Sequence, residues 1–468
     1  MRRTKIVATI GPASDSPEIL DALIASGMNV ARLNASHSDL EHLDAQLRAV
    51  RDAAGRAGRH VAVMLDLPGP KLRVGDMVPG TVLIEGSDFV LQARTCEGDA
   101  GHGCIPGHDL SSDVTRGDRI LLDDGNLELV VSESRVGEVH TRVVHGGPLT
   151  GQKGVNVPGV TLDIQAITDR DRAALAWGLE AGVDLVAQSF VRCAADVLSL
   201  RQLIADAPVD VIAKIEKHEA IGDIEAIVQA VDGIMVARGD LGVETSPEDV
   251  PVLQRSIIRA ARAQGKPVIV ATQMLESMRT SPRPTRAEAS DVATSIFQNA
   301  DAIMLSAETA VGEYPVEAVR VAERIALKAE QSAGPAAPVQ SSGGPGDISA
   351  AVSAAVADLA RDLELAAIVV ATQSGATARA VARHRPGAPL VAVTPHEHVA
   401  RRLALVWGIR PLVVALDADT DVMLDAVLRA VSSAGFAQPG SRVAITAGRA
   451  SKVAGDTDFI QVCRIEQS

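Results

Sequence analysis

Eight short β-branched runs, each followed by a helical pattern, organise the first two thirds of this 468-residue chain. The runs read KIVATIG, MNVARLNAS, HVAVMLDL, VDLVAQSF, VDVIAKIE, VDGIMVARGD, KPVIVATQ and DAIMLSAE. Between and after them lie amphipathic stretches such as SPEILDALIASG, TDRDRAALAWGLEAG, IGDIEAIVQA, RAEASDVATSIFQNA and the closing YPVEAVRVAERIALKAEQ. Eight strand-then-helix units are the number that closes a (β/α)8 barrel, and right-handed crossovers leave few rival topologies. The aromatic count agrees. With two Trp, one Tyr and five Phe, cores must be built from Val, Ile, Leu and Ala, which suits helices layered on parallel strands.

One segment breaks the alternation. From about Lys71 to Pro158 there is no helical period, only runs such as TVLIEG, DRILLDDGNLELVV and GEVHTRVVHGG, the pattern of a small all-β domain. Its junctions, DLPGPK and VNVPGV, are rich in Gly and Pro and suit a hinge. A second shift falls at SAGPAAPVQSSGGPG, residues 332–346, which reads as a linker. Beyond it LAAIVVATQSG, APLVAVTP, IRPLVVAL and SRVAITAG alternate with helices again. The expected fold class is therefore α/β: a (β/α)8 TIM barrel (1–70 plus 159–331), an inserted β domain (71–158) and a C-terminal open α/β domain (347–468).

Charge and cysteine usage narrow the function. The net charge of −14 leaves no basic face for nucleic acid or an anionic membrane surface. Four cysteines make no disulfide framework in a chain this long, so a reducing, cytoplasmic location is expected. Cys96 and Cys104 lie near His102 and His108 in CEGDAGHGCIPGH, but without a tight C-x-x-C pair a polar loop is the expectation over a metal site. The opening MRRTKIVATIGP is too short in its apolar run for a secretory signal, and no apolar run approaches a membrane span.

In such a barrel the chemistry lies at the C-terminal ends of the strands. Residues two apart share a face of a strand, which groups Val30, Arg32, Asn34 and Ser36; Ala62, Met64 and Asp66; Ile212, Lys214 and Glu216. The same period groups Ile234, Val236, Arg238 and Asp240; Val268, Val270 and Thr272; Met304, Ser306 and Glu308. Any one of these polar residues alone is more often a solvated strand end or a scaffold ion pair. Six strands turning polar at the same end argue for a site. Glu216 and Asp240 suit an oxygen-rich Mg²⁺ or Mn²⁺ site with positions open to substrate. Arg32, Arg73 and Lys214 suit an anionic substrate, most simply a phosphate, and the turn ARGDLG lets backbone N–H groups approach it. A metal between two acids, faced by cations, fits phosphoryl transfer or enolate stabilisation.

TKIVATIGPAS, MNVARLNASH, KGVNVPG, AKIEKHEAI, DGIMVARGDLGVE, ATQMLESM, RPTRAEASDVA and IMLSAETA together resemble pyruvate kinases, in order from residue 4 to about 330 and more loosely beyond. The resemblance implies transfer of a phosphoryl group from phosphoenolpyruvate to ADP, giving pyruvate and ATP. It implies that Lys214 stabilises the transferring group and the enolate, and that Glu216 and Asp240 bind the divalent metal. Arg32 would contact the substrate phosphate, backbone N–H groups of Gly239 and Asp240 its carboxylate, and Thr272 the methylene carbon, with Ser306 as relay partner. Asn34, His37, Arg73 and Lys153 would serve the nucleotide, and the inserted domain would be a lid to which Asp124 belongs. A homotetramer and a phosphorylated allosteric effector are implied as well, the effector at ATQSGATARA through Thr372, Ser374, Gly375 and Thr377. The family's second effector loop is matched only weakly by AGRASKVAGDTD.

The departures from the family carry their own expectations. Many members bind K⁺ through residues equivalent to Asn34, Ser36, Asp66 and the carbonyl of residue 67, and have a glutamate where this chain has Lys71. Leu67 together with Lys71 resembles the K⁺-independent members, so Lys71 is expected to stand in for the cation. Ala35 and Ser38 replace a Phe and a Gly of the family pattern and remove no reacting group. Two other functions compete with this one: a metal-dependent aldolase of the related barrel superfamily, and a catalytically silent metabolite sensor. The aldolase needs neither an inserted lid nor an effector domain; the sensor does not need Lys214, Glu216, Asp240, Arg32 and Thr272 together.

Overall fold

The computed structural model describes residues 2–36, 38–334, 347–417, 419–448 and 457–466. Eight parallel strands close a barrel, in order Lys5–Thr9, Val30–Asn34, Ala62–Leu67, Leu185–Gln188, Asp210–Ile215, Gly233–Ala237, Val268–Ala271 and Ala302–Leu305. They are called the first to eighth barrel strands below. Each pairs with the next, and the eighth with the first through Lys5↔Ala302 to Ala8↔Leu305. The lumen is filled by Val7, Val30, Met64, Leu185, Ala187, Ile212, Met235, Ile269, Ala271 and Met304, joined by Leu405 of the C-terminal region. Alternate residues, among them Leu33, Val63, Leu65, Val236, Val270 and Ile303, face outward under the helices. Strands buried on both sides explain why the sequence runs are apolar throughout rather than alternating.

Local chemistry starts and stops the surrounding helices. Thr168 and Asp171 form a capping box ahead of helix Asp169–Ala181, which Gly182 ends at φ +78°. Thr285 and Glu288 do the same for helix Arg286–Phe297.

Between the third and fourth strands the chain leaves the barrel. A six-stranded sheet runs in the order Val155–Asn156, Arg119–Leu122, Leu127–Arg135, Glu138–His145, Asp88–Gln92 and His102–Cys104, around its own core with Phe89 fully buried. Here the reading of the cysteines needs correction: Cys96 and Cys104 are joined in a disulfide, their Cα atoms 5.9 Å apart. His102 pairs with Asp99 and His108 with Asp113. The sequence could not foresee the pairing, because hydrogen bonds such as Gly75 N–H to the Cys104 carbonyl, 2.7 Å, are what fold this loop back.

The C-terminal region builds a sheet in the order Ile409–Val413, Leu390–Thr394, Ala367–Ala371, Arg442–Ala447 and Phe459–Arg464. The last strand, antiparallel to its neighbour, is not among the four named from sequence. Three aspartates at the N-terminal ends of barrel strands receive arginines from this region. Arg401 meets Asp184 at 2.7 Å, Arg402 and Arg379 both meet Asp210, and Arg385 meets Asp301 at 2.9 Å. Most of the 332–346 linker lies outside the described residues. No helix among the described residues is long and apolar enough to cross a membrane.

Candidate active site

The second, third and fifth strands bring Arg32, Asp66, Lys214 and Glu216 to the barrel mouth on the face the period of two assigns them. Arg32 Nε donates to Asp66 Oδ2 at 2.6 Å and Nη1 to Thr9 Oγ1 at 3.1 Å. Lys214 Nζ lies 3.3 Å from Asp66 Oδ1 and 3.0 Å from Glu216 Oε1, and donates to Ser189 Oγ at 2.7 Å. Ser189 in turn donates to the Leu67 carbonyl at 2.7 Å, and the Phe190 N–H donates to Glu216 Oε2 at 2.7 Å. Ser189 is a site residue the sequence reading passed over. It continues the Leu185, Ala187 face by the same period of two, so the signal was present in QSF.

These groups are buried and hold one another charged. Burial opposes ionisation of Asp66, but Lys214 and Arg32 outweigh it and its pKa falls below the ordinary value. Burial likewise opposes the Lys214 ammonium, and Asp66 with Glu216 outweighs that too, raising its pKa. Glu216 goes the other way: burial, helped by repulsion from Asp240, raises its carboxyl despite Lys214. Two crowded carboxylates of which one resists ionisation are what a hard divalent cation relieves. The described residues offer no group of three or more His, Cys, Asp or Glu able to hold an ion by themselves. Glu216 and Asp240 thus fit a metal that takes its remaining oxygens from substrate and water.

The period of two fails on the sixth and seventh strands. Met235 and Ile269 fill the lumen, whereas Ile234, Val236, Val268 and Val270 pack outward under the helices. The mouth residues get there by leaving the strand. Helix Arg238–Glu244 starts at once after Ala237, and its 3.6 period turns Asp240 inward. Thr272 follows the seventh strand at φ +68°, an uncommon conformation for a β-branched residue, and accepts the Gly239 N–H at 2.8 Å. Arg238 turns away to Asp291 and the Thr272 carbonyl. Glu308 is likewise no mouth residue; it accepts the N–H groups of Leu275 and Ser306 at 3.0 and 2.7 Å. Ser306 itself continues the Ala302, Met304 lumen face.

Lys71 reaches across the cleft to the sixth strand's helix. Its Nζ donates to Asp240 Oδ1 at 2.8 Å and lies 3.5 Å from Asp124 of the inserted domain. Burial opposes its charge, but Asp240, Asp124 and Glu216 raise its pKa. Among the described residues it makes no hydrogen bond or ion pair with Asn34, Ser36, Asp66 or Leu67; Asp66 is already held by Arg32 and Lys214. Asn34 Oδ1 caps the Ser36 N–H at 3.1 Å, and Leu67 is buried. Ala35 is buried too, its carbonyl taking Arg170 at 2.9 Å.

A cleft of about 560 Å³ opens between barrel and insert, lined by Lys71, Asp124, Gly239, Asp240, Thr272 and Gln273 among others. Arg73 and Lys153 stand at the insert's base. Arg73 donates to the Gln152 carbonyl at 2.8 Å and Lys153 pairs with Asp123 at 2.6 Å. His37 lies outside the described residues.

Far from this cleft, Gly375 at φ +89° precedes helix Ala376–Ala382, its N–H bonded to Thr372 Oγ1 at 2.9 Å. Thr377 pairs with Thr457 at 2.6 Å, and Ser374 Oγ accepts the Ala376 N–H at 3.4 Å. The structure therefore brings the four residues of that loop together. Most of the opposing AGRASKVAGDTD lies outside the described residues.

Comparison with known proteins joins these observations to one family. Residues 1–319 match the family model for the pyruvate kinase barrel domain and residues 350–463 that for its alpha/beta domain. Pyruvate kinase 2 of Synechocystis is 47% identical over 468 residues, covering 98% of this chain and 79% of the relative. The pyruvate kinase of Geobacillus stearothermophilus is 46% identical over 469 residues (98% and 80%), and that of Bacillus licheniformis 43% over 470 (99% and 80%). With an eight-stranded barrel, an inserted β sheet, a C-terminal α/β sheet and matches across both, the chain belongs to the pyruvate kinase family of phosphotransferases.

Proposed function

We propose that this chain transfers the phosphoryl group of phosphoenolpyruvate to ADP with a divalent cation, Mg²⁺ or Mn²⁺, and without K⁺. The observation that carries the reading is Lys214, buried and charged between Asp66 and Glu216 at the barrel axis. The substrate's P–O bond breaks, a new P–O bond forms to the β-phosphate of ADP, and the enolate left behind takes a proton at its methylene carbon. Lys214 and Arg32 meet the charge that spreads over the phosphoryl oxygens, where a loose transition state needs it. N–H groups of Gly239 and Asp240 hold the substrate carboxylate, the Gly239 N–H exchanging Thr272 Oγ1 for it when substrate enters. Thr272, already bonded to the Gly239 N–H, borders the carbon to be protonated, with Ser306 behind it. Glu216 and Asp240 hold the cation, which when bound supplies charge neutralisation between substrate and nucleotide phosphates. Asn34, His37, Arg73 and Lys153 serve the nucleotide, and the inserted domain closes over it to exclude water.

The K⁺ independence rests on charge rather than on occupancy of the K⁺ position. Lys71 supplies a fixed ammonium inside the cleft at Asp240, while Arg32 and Lys214 neutralise Asp66. A homotetramer and a phosphorylated effector at Thr372, Ser374, Gly375 and Thr377 belong to the same reading. The test is pyruvate formation from phosphoenolpyruvate and ADP with Mg²⁺, in K⁺ buffer and in tetramethylammonium buffer. Equal rates are expected. A rate seen only with K⁺ removes the role of Lys71, and no pyruvate in either buffer removes the function.

A further inference from the structure

Two stretches of chain connect the barrel to the inserted domain, and one seven-residue helix, Arg238–Glu244, holds both. The outgoing stretch is tied near the helix start, through Lys71 and Asp240 at 2.8 Å. The returning stretch is tied at the helix end, where Asn156 Nδ2 donates to Glu244 Oε1 at 2.7 Å. The two stretches bridge each other at Arg73 and Gly154.

Glu244 does more than receive the lid. Its side chain is fully buried, and the same Oε1 accepts Lys217 Nζ at 2.7 Å. Lys217 directly follows Glu216, so one carboxylate joins the lid's return strand, the peptide behind one candidate metal ligand and the helix that carries the other. A buried carboxylate with a single ammonium partner is weak support for stability as such. It does fix direction, because each partner reaches it from a different element. Its second oxygen, Glu244 Oε2, lies 3.7 Å from His218 Nδ1, and these two atoms and the Asn156 side-chain Oδ1 are buried without a hydrogen-bond partner, so the seam is polar where apolar packing would hold it as well.

We propose that Glu244 is a positioning residue for phosphoryl transfer, clamping lid angle and the Glu216–Asp240 geometry together through Asn156 and Lys217. The proposal rests on the site reading above. Lid closure then moves Asn156, Asn156 moves the helix end, and Asp240 shifts with it; the lid senses nucleotide and the acids respond.

The test uses the full-length protein with Asn156→Ala and, separately, Glu244→Gln. Asn156→Ala removes one buried hydrogen bond but leaves the Glu244–Lys217 pair whole, so the barrel is expected to fold with a modestly lowered melting temperature. Its kcat is expected to fall about tenfold or more, since small misplacements remote from the chemistry are that expensive. KM for ADP rises severalfold while KM for phosphoenolpyruvate stays put. Hydrogen exchange at residues 238–244, slowed by Mg–ADP in the parent, becomes insensitive to it in the variant. Glu244→Gln gives the same kinetic split with an added loss of stability, and the double variant is no worse in kcat than the weaker single one. Parent-like kcat and KM in both variants, with only a lower melting temperature, overturn the proposal, as does exchange at 238–244 that still follows Mg–ADP in Asn156→Ala. A parent protein that makes no pyruvate overturns the function instead, and the exchange experiment still reads the coupling.

Discussion

The two ends of the barrel use the same side chains to opposite effect. At the N-terminal end, Asp184, Asp210 and Asp301 each meet arginines from the C-terminal region within hydrogen-bonding distance. At the C-terminal end, Asp66, Glu216 and Asp240 are shared among Arg32, Lys214 and Lys71 around a cleft of about 560 Å³. The lower pairs close on themselves and seal two regions together. The upper set is matched in number, three acids to three cations, yet one acid is not at ease: Glu216 is pushed toward its neutral form by burial and by Asp240. Aspartates enclosed by arginines make scaffold, whereas a carboxyl that resists ionisation beside an open volume makes a site that a cation and an anionic substrate can finish.

If that contrast is right, substitutions at the two ends separate activity from stability. Lys214→Met is expected to lower kcat by about a thousandfold, the scale of one lost transition-state donor. Its melting temperature is expected to fall less than that of the lower-end variant below, because Arg32 still holds Asp66 and Glu216, already pushed toward its neutral form by burial, can take a proton. A large melting shift with modest kinetic loss would make the upper set scaffold as well.

Asp301→Ala reverses the pattern. It strands Arg385, whose side chain is 3% exposed, and is expected to destabilise the fold by about 3–5 kcal/mol in denaturant titration. Replacing both partners by apolar residues, Asp301→Leu with Arg385→Met, should recover only part of that loss, because Asp301 also accepts the buried N–H groups of Val268 and Trp407 at 3.1 Å, with kcat close to the parent's throughout. A double variant no more stable than Asp301→Ala would refute the pairing argument.

Lys71→Glu sharpens the upper half of the comparison. Turnover that ignores K⁺ in the parent is expected to become K⁺-dependent by about tenfold, the effect of roughly 1.4 kcal/mol. Equal rates with and without K⁺ in the variant would show that this ammonium is not the substitute.

The smallest expected effect concerns His384 at the lower seam. Burial, with Arg383 and Arg262 outweighing Asp358, lowers its pKa from 6.5 to about 4. The unfolded chain therefore takes up a proton below pH 6.5 that the folded chain refuses until about pH 4, and stability falls through that window. Half-exposed groups are partly screened, so the loss is set at about 1 kcal/mol. His384→Gln should flatten the decline between pH 7 and pH 5 in thermal melts, and an unchanged slope would assign the decline to other groups.

How much of this was legible in the sequence differs strand by strand. On the second, third and fifth strands the period of two led straight to Arg32, Asp66, Lys214 and Glu216, because there the strand runs to the mouth. On the sixth and seventh it chose the wrong face. Asp240 and Thr272 were still named, since ARGDLG and ATQ are long motifs, but their geometry comes from a helix turn and a left-handed residue that no strand period describes. Lys71 was noticed as a charge out of place. Its partner Asp240 could not be read from the sequence, because it lies 169 residues away in the chain and only the hinge path brings it near.

Alternating apolar runs, helix caps and turn residues act within a few residues of one another, and for that reason the sequence alone determined the barrel, the insertion and the identity of most mouth residues. Which acid meets which base is set by closure of the ring and by packing of the inserted and C-terminal regions against it. That packing decided the arginine seam beneath the strands and the burial of Glu244 between Asn156 and Lys217, while the insert's own folding decided the Cys96–Cys104 disulfide. Electrostatic partners depend on distances of a few ångströms between residues remote in the chain, and those distances exist only once the fold has formed.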